Sequence, residues 1–159
     1  MSSRVSLREL VVGAAVFALL AVALHDCGPH APSRWRASWT RTPGVLNADV
    51  TQATVRDTIC TRGWTRTIRP PVSYTDDLKL RQLRDYGFPG GPRQYQEDHL
   101  ISLELGGDPE DPRNLWPERR PRAEQVDAIE NELNAKICSG AMSLRDAQRK
   151  ISELKHTAG

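Results

Sequence analysis

Apolar residues in the C-terminal half of the chain recur at helical spacing twice. Val126, Ile129, Leu133 and Ile137 follow one another at steps of three and four, which predicts a helix with Pro121 in its first turn and its end near Cys138 and Gly140. A second stripe, Leu144, Ala147, Ile151 and Leu154, follows Ser143-x-x-Asp146, the pattern of a capping box, and predicts a last helix. Upstream the period changes. Ile101, Leu103 and Leu105 alternate with Ser102 and Glu104, which predicts a half-buried strand beginning at or near His99 and broken by Gly106-Gly107. A polar loop over residues 108–113 leads to Asn114-Leu115-Trp116, a second short strand that returns beside the first and stops at Pro117. Nearer the N-terminus, Thr51 caps a short helix carrying Val55 and Ile59 and ended by Gly63. Arg69-Pro70-Pro71 then forces an extended stretch. Thr75-Asp76-Asp77 opens a further helix to about Tyr86, with Leu78, Leu80 and Leu83 inward and Gly87 as the stop. These elements predict a small α+β domain over residues 43–157, with Trp64 and Trp116 in its core, and a linker of Pro, Ser and Arg over residues 25–42.

The first residues belong to no such domain. Arg4 and Arg8 precede an uncharged apolar run over residues 10–24, shorter than the roughly 20 residues of a relaxed membrane span, and Ala21-Val22-Ala23 has the small-x-small form of a cleavage site. Residues 1–24 are thus read as a signal peptide or, if uncleaved, as an N-terminal membrane anchor. The expected location is periplasmic or secreted, with attachment to the membrane through residues 10–24 as the alternative. Export changes the meaning of the cysteines, because thiols in an oxidising compartment pair. Cys60 and Cys138, the two inside the folded region, are expected to form a disulfide contributing on the order of 4 kcal/mol.

The 159 residues suffice for one cored domain, and 38% hydrophobic with 26% charged residues excludes both a disordered chain and a polytopic membrane protein. The formal net charge is +2, so no chain-wide nucleic-acid footprint exists and any phosphate contact must come from a local cluster. Arg113, Arg119, Arg120 and Arg122 form such a cluster, opposed by Asp108, Glu110, Asp111 and Glu118.

Asp98-His99-Leu100, Gly106-Gly107 and Asn114-Leu115, followed by a helix, resemble the HNH endonuclease motif of the ββα-metal fold. Across residues 43–152, the order Thr51-Gln52-Ala53-Thr54, Ile59-Cys60, Gly63-Trp64-Thr65, Arg69-Pro70-Pro71, Tyr74-Thr75, Glu97-Asp98-His99, Asn114-Leu115-Trp116-Pro117-Glu118 and Cys138-Ser139-Gly140 is similar to a group of uncharacterised, exported bacterial HNH-like proteins. The resemblance implies metal-assisted hydrolysis of phosphodiester bonds, DNA before RNA, with His99 as the base that activates water. It further implies Asp98 as a metal ligand and Asn114 as the residue that fixes the loop and orients His99. An alternative of another class is a non-catalytic envelope protein that retains the hairpin as a scaffold.

The second metal ligand should come from the helix, and here the sequence departs from the family pattern: no His or Asn follows Asn114 by nine or ten residues. Glu124, Asp127 and Asn131 gather opposite the apolar stripe, which leaves Asp127 or Glu124 for that role. Two carboxylates favour Mg²⁺ or Mn²⁺, whereas a His-rich helix would favour Zn²⁺ or Ni²⁺. Nucleic acid is the expected partner, and an immunity or envelope protein a further one.

Overall fold

A computed structural model describes residues 35–158; the apolar segment of residues 10–24 lies outside them. Its helices are α1 (Trp64–Ile68), α2 (Val72–Tyr86), α3 (Arg120–Ser139) and α4 (Leu144–Thr157). Two strands, β1 (Tyr95–His99) and β2 (Leu115–Arg119), pair antiparallel, with Asp98 opposite Trp116 and His99 opposite Leu115. Among the described residues no helix is long and apolar enough to cross a membrane.

The two C-terminal helices form where their stripes place them. Gly140 ends α3 in the left-handed conformation, and the Ser143 hydroxyl accepts from the Asp146 amide at the start of α4. Val126, Leu133 and Ile137 pack with Leu144, Ala147 and Ile151, and this core extends to Val50, Val55, Ile59, Ile101 and Leu105. Trp116 and Leu100 are fully buried in a second cluster with Ala37, against which Tyr86 and Phe88 pack.

Four elements differ from the pattern-based expectation. Strand β1 ends at His99 instead of beginning there, and Leu103–Leu105 is a 3-10 turn that buries both leucines. Strand β2 runs on through Pro117, because each strand of a two-stranded sheet has a free edge where the missing N–H costs nothing. Residues 52–60 form successive turns instead of a helix, although Val55 and Ile59 are buried as expected. Thr54 Oγ1 donates to the Asp49 carbonyl and Thr58 Oγ1 to that of Thr54, local bonds that compete with a regular helical ladder. Helix α2 begins at Val72, so Thr75 lies inside it, and Leu80 is exposed because it stands two residues from Leu78 and hence on the opposite face.

The packed domain also starts before Pro43. The Ala37 amide donates to the Lys155 carbonyl, Trp35 meets Phe88 edge-on, and Trp39 stacks on the His156 ring at 3.6 Å. His156, to which the sequence assigns no role, is buried between the Thr42 carbonyl at Nε2 (2.9 Å) and the Ser152 carbonyl at Nδ1 (2.7 Å). Residues 35–42 are thus part of the domain and no linker.

The Cys60–Cys138 disulfide is formed and joins the turn ahead of α1 to the last turn of α3, across 78 residues of sequence. Its reduction is expected to lower stability by about 2–4 kcal/mol, read as a drop in melting temperature with and without reductant. Identical melting curves would show that the bridge constrains nothing the core does not already hold.

Candidate functional site

A cavity of about 330 Å³ lies between β1, the 3-10 turn after it, the end of α1 and the polar face of α3. Asp98 and His99 reach it from β1, Arg69 from the end of α1, and Asp127 and Glu130 from α3. Adjacent strand residues point to opposite faces, so Asp98 and His99 meet one cavity only because the strand stops at His99 and the chain turns there.

That corner is held by Asn114. Its side-chain oxygen accepts from the Ile101 amide at 3.0 Å, and its nitrogen donates to the carbonyls of Ile101 (3.1 Å) and Asp108 (2.8 Å). The backbone joins in, with the Leu100 amide donating to the Asn114 carbonyl at 2.7 Å. Asn114 is fully buried, so these bonds satisfy a polar group that water does not reach. The paired glycines make the approach geometrically permissible. Gly106 ends the 3-10 turn at φ 79°, and a Cβ on Gly107 would stand 1.8 Å from the Ile101 carbonyl oxygen and 2.6 Å from the Asn114 nitrogen.

The same loop orients His99. Asp108 Oδ1 accepts from the amides of Glu110 (2.9 Å) and Asp111 (2.7 Å), which curls the loop so that the Pro109 carbonyl meets His99 Nε2 at 3.0 Å. A carbonyl oxygen only accepts, so Nε2 carries the proton and Nδ1 is left as an acceptor. Burial holds the imidazole below its usual range, against the raising influence of the Pro109 bond and the Asp98 charge. A neutral, oriented imidazole with a free basic nitrogen is the result.

Asp98 has a partner that the sequence reading missed. Lys155, fully buried in α4, donates to Asp98 Oδ2 at 2.6 Å and to the His99 carbonyl at 2.7 Å; its ammonium also lies 2.8 Å from Glu130 Oε1 and 3.6 Å from Glu118 Oε2. One cation therefore serves three carboxylates. Burial alone would raise Asp98, but Lys155 outweighs it and holds the group below its usual range, whereas burial pushes Glu118 up to about 9 and Glu130 up to about 7. A signal for this network is present in the sequence: Lys155 stands four residues after Ile151, and Glu130 four after Val126, each a charge on an apolar stripe.

Asp127 lines the cavity and Glu124 does not. Burial and the nearby Asp98 charge both raise Asp127, and burial and Asp127 raise Glu104 in turn, so the cavity gathers carboxylates that repel one another. Among the described residues no group of three or more His, Cys, Asp or Glu side chains is arranged to hold a metal ion. Asp98 and Asp127 nonetheless line one cavity, a set of hard oxygen donors that suits Mg²⁺ or Mn²⁺ with waters completing the shell. The clustered arginines lie elsewhere. Arg113 pairs with Asp111 at 2.6 Å, Arg119 lies over the Trp35 ring, Arg120 donates to the Arg93 carbonyl, and Arg122 reaches toward Gln125.

No family model, curated protein or solved structure matches this chain. The functional reading therefore rests on the geometry of the cavity and on the motif.

Proposed function

We propose that the chain is a metal-dependent, HNH-type endonuclease that hydrolyses phosphodiester bonds of nucleic acid, DNA in preference to RNA, outside the cytoplasm. The observation that carries this reading is the His99 ring, fixed through Nε2 by the Pro109 carbonyl and left basic at Nδ1 on the wall of a cavity it shares with Asp98 and Asp127. Asp98 and Asp127 would hold the divalent ion, Mg²⁺ or Mn²⁺ by donor type, which when bound supplies charge stabilisation to the phosphate oxygens. His99 takes the proton of the attacking water at Nδ1. Asn114 touches neither water nor phosphate in this scheme; it holds the turn that aims the base. The Cys60–Cys138 disulfide supports an oxidising compartment.

A second reading is favoured by Lys155. Its ammonium already sits on one oxygen of Asp98, as it would in a non-catalytic envelope protein that keeps the hairpin as a scaffold. Calorimetric titration of the oxidised chain with Mn²⁺, alongside cleavage of a supercoiled plasmid, separates the two. The nuclease reading expects uptake and nicking in the wild type and loss of uptake in both Asp98→Ala and Asp127→Ala. A wild type that takes up no Mn²⁺ and nicks no plasmid would leave the scaffold.

A further inference from the structure

Arg69 lines the cavity from the residue that follows α1, and no arginine of the 113–122 cluster is placed there. Its position is set by the backbone. Arg69 follows the last turn of α1 in extended conformation (φ −66°, ψ 129°), the buried Pro70 comes next, and Pro71 caps α2. Helix α1 in turn follows directly on the Cys60–Cys138 bridge to α3, the helix that brings Asp127 and Glu130 to the same cavity. Arg69 thus reaches the cavity on a braced corner.

Its charge is uncommitted. Arg69 makes no ion pair and no hydrogen bond with any described residue; its field opposes in small part the burial that raises Glu104 and Asp127, and it disfavours protonation of His99. Lys155 is engaged with three carboxylates, and arginines away from the cavity have partners of their own, Arg113 with Asp111, Arg119 with Trp35 and Arg120 with the Arg93 carbonyl. A cavity with a neutral base, carboxylates and one unengaged guanidinium is suited to a ligand that is anionic on one side. A guanidinium fork matches two oxygens of a phosphate, which a lone ammonium does not.

We propose that Arg69 is a catalytic residue that binds the non-bridging oxygens of the phosphodiester under attack, so that the cavity takes a nucleic-acid phosphate. This rests on the nuclease reading and names the group that holds its substrate. In the step itself the water oxygen forms a bond to phosphorus, the bond from phosphorus to the ester oxygen breaks, the water proton passes to His99 Nδ1, and the leaving oxygen takes a proton from solvent. Arg69 faces the charge that grows on the equatorial oxygens as this happens.

The test uses the full, oxidised chain. Binding of a labelled duplex of about one helical turn is measured with Mn²⁺ across a salt series, in a His99→Ala background whose slow residual cleavage leaves the duplex intact over the measurement. Adding Arg69→Ala is expected to weaken binding about tenfold and to reduce the slope of log K against log salt by about 0.9, the value for one phosphate contact. Arg69→Lys should restore the slope without the affinity. With His99 intact, Arg69→Ala should cut kcat at least tenfold while Mn²⁺ affinity stays within twofold of wild type. Unchanged duplex affinity and slope overturn the proposal, as does a parallel loss of Mn²⁺ affinity, which would make Arg69 a support for the carboxylates. The two failures separate: a wild type that nicks DNA beside an equally active Arg69→Ala sinks the arginine alone, whereas a wild type without uptake or nicking sinks the nuclease reading and the arginine with it.

Discussion

His99→Ala is expected to lower the rate of metal-dependent phosphodiester cleavage by about 10²–10⁴-fold, the usual contribution of a positioned general base. The fold should survive. The substitution leaves the Pro109 carbonyl without its partner, a cost of about 1–3 kcal/mol, but the loop keeps the Asp108 bonds to Glu110 and Asp111 and the three side-chain bonds of Asn114. Kinetics and melting should therefore separate, with activity falling by orders of magnitude and melting shifting by several degrees. His99→Gln sharpens the comparison, because an amide still donates toward the Pro109 carbonyl and carries no base at neutral pH. If both variants nick plasmid DNA at the wild-type rate, the imidazole is a structural tether and the hairpin is a scaffold.

Those parts of the fold with a strong period were legible before the structure. Helices α3 and α4 follow their apolar stripes, Gly87 and Gly140 end helices in left-handed conformation, and the two cysteines pair. The hydrophobic pattern misplaces strand β1 for a physical reason. Its residues, Tyr95-Gln96-Glu97-Asp98-His99, carry almost no hydrophobic alternation, because one end of the strand meets the Lys155 network. The alternation that did appear, Ile101, Leu103 and Leu105, comes from a short turn whose i and i+2 leucines are both buried in the core. Period alone does not separate those cases.

The site divides in the same way. Asp98, His99, Asn114 and Asp127 were legible from the motif and from the helix face, and the cavity brings three of them together while Asn114 braces its edge. Glu124 was not separable from Asp127 by sequence, since both lie on the polar face and only the tilt of α3 against β1 decides which one lines the cavity. Arg69 and Lys155 arrive through tertiary packing from distant segments. Lys155 shows itself as a charge on the apolar stripe of α4, but no local pattern names the residues that it or Arg69 meets.

Lys155→Met is expected to destabilise the protein by about 3–5 kcal/mol at pH 7, a large share of the 5–15 kcal/mol typical of a domain. The figure follows from what remains. Lys155 is buried, it holds Asp98 at 2.6 Å and Glu130 at 2.8 Å, and its loss leaves the buried Asp98 either ionised with no opposite charge or protonated at a pH where the unfolded chain ionises it. Burial pushes Glu118 up to about 9 and Glu130 up to about 7 even beside Lys155, which holds both down; without it both rise further, so Asp98 carries most of the deficit. The pH dependence has a definite sign. In the wild type Asp98 is held below its unfolded value, so its ion pair stabilises above about pH 4 and is lost as pH falls through the folded value. Without Lys155, burial raises the same group above its unfolded value, and the folded variant then prefers the protonated form. Its deficit grows as pH rises above about 4 and shrinks on acidification. Urea unfolding of both proteins at pH 5 and pH 7 measures the difference. Adding Asp98→Asn and Glu130→Gln to Lys155→Met should return much of the lost stability, because an uncharged cluster of similar volume no longer requires a counter-ion. If Lys155→Met alone unfolds at the wild-type urea concentration at pH 7, water reaches Asp98 and the ammonium is dispensable to the fold.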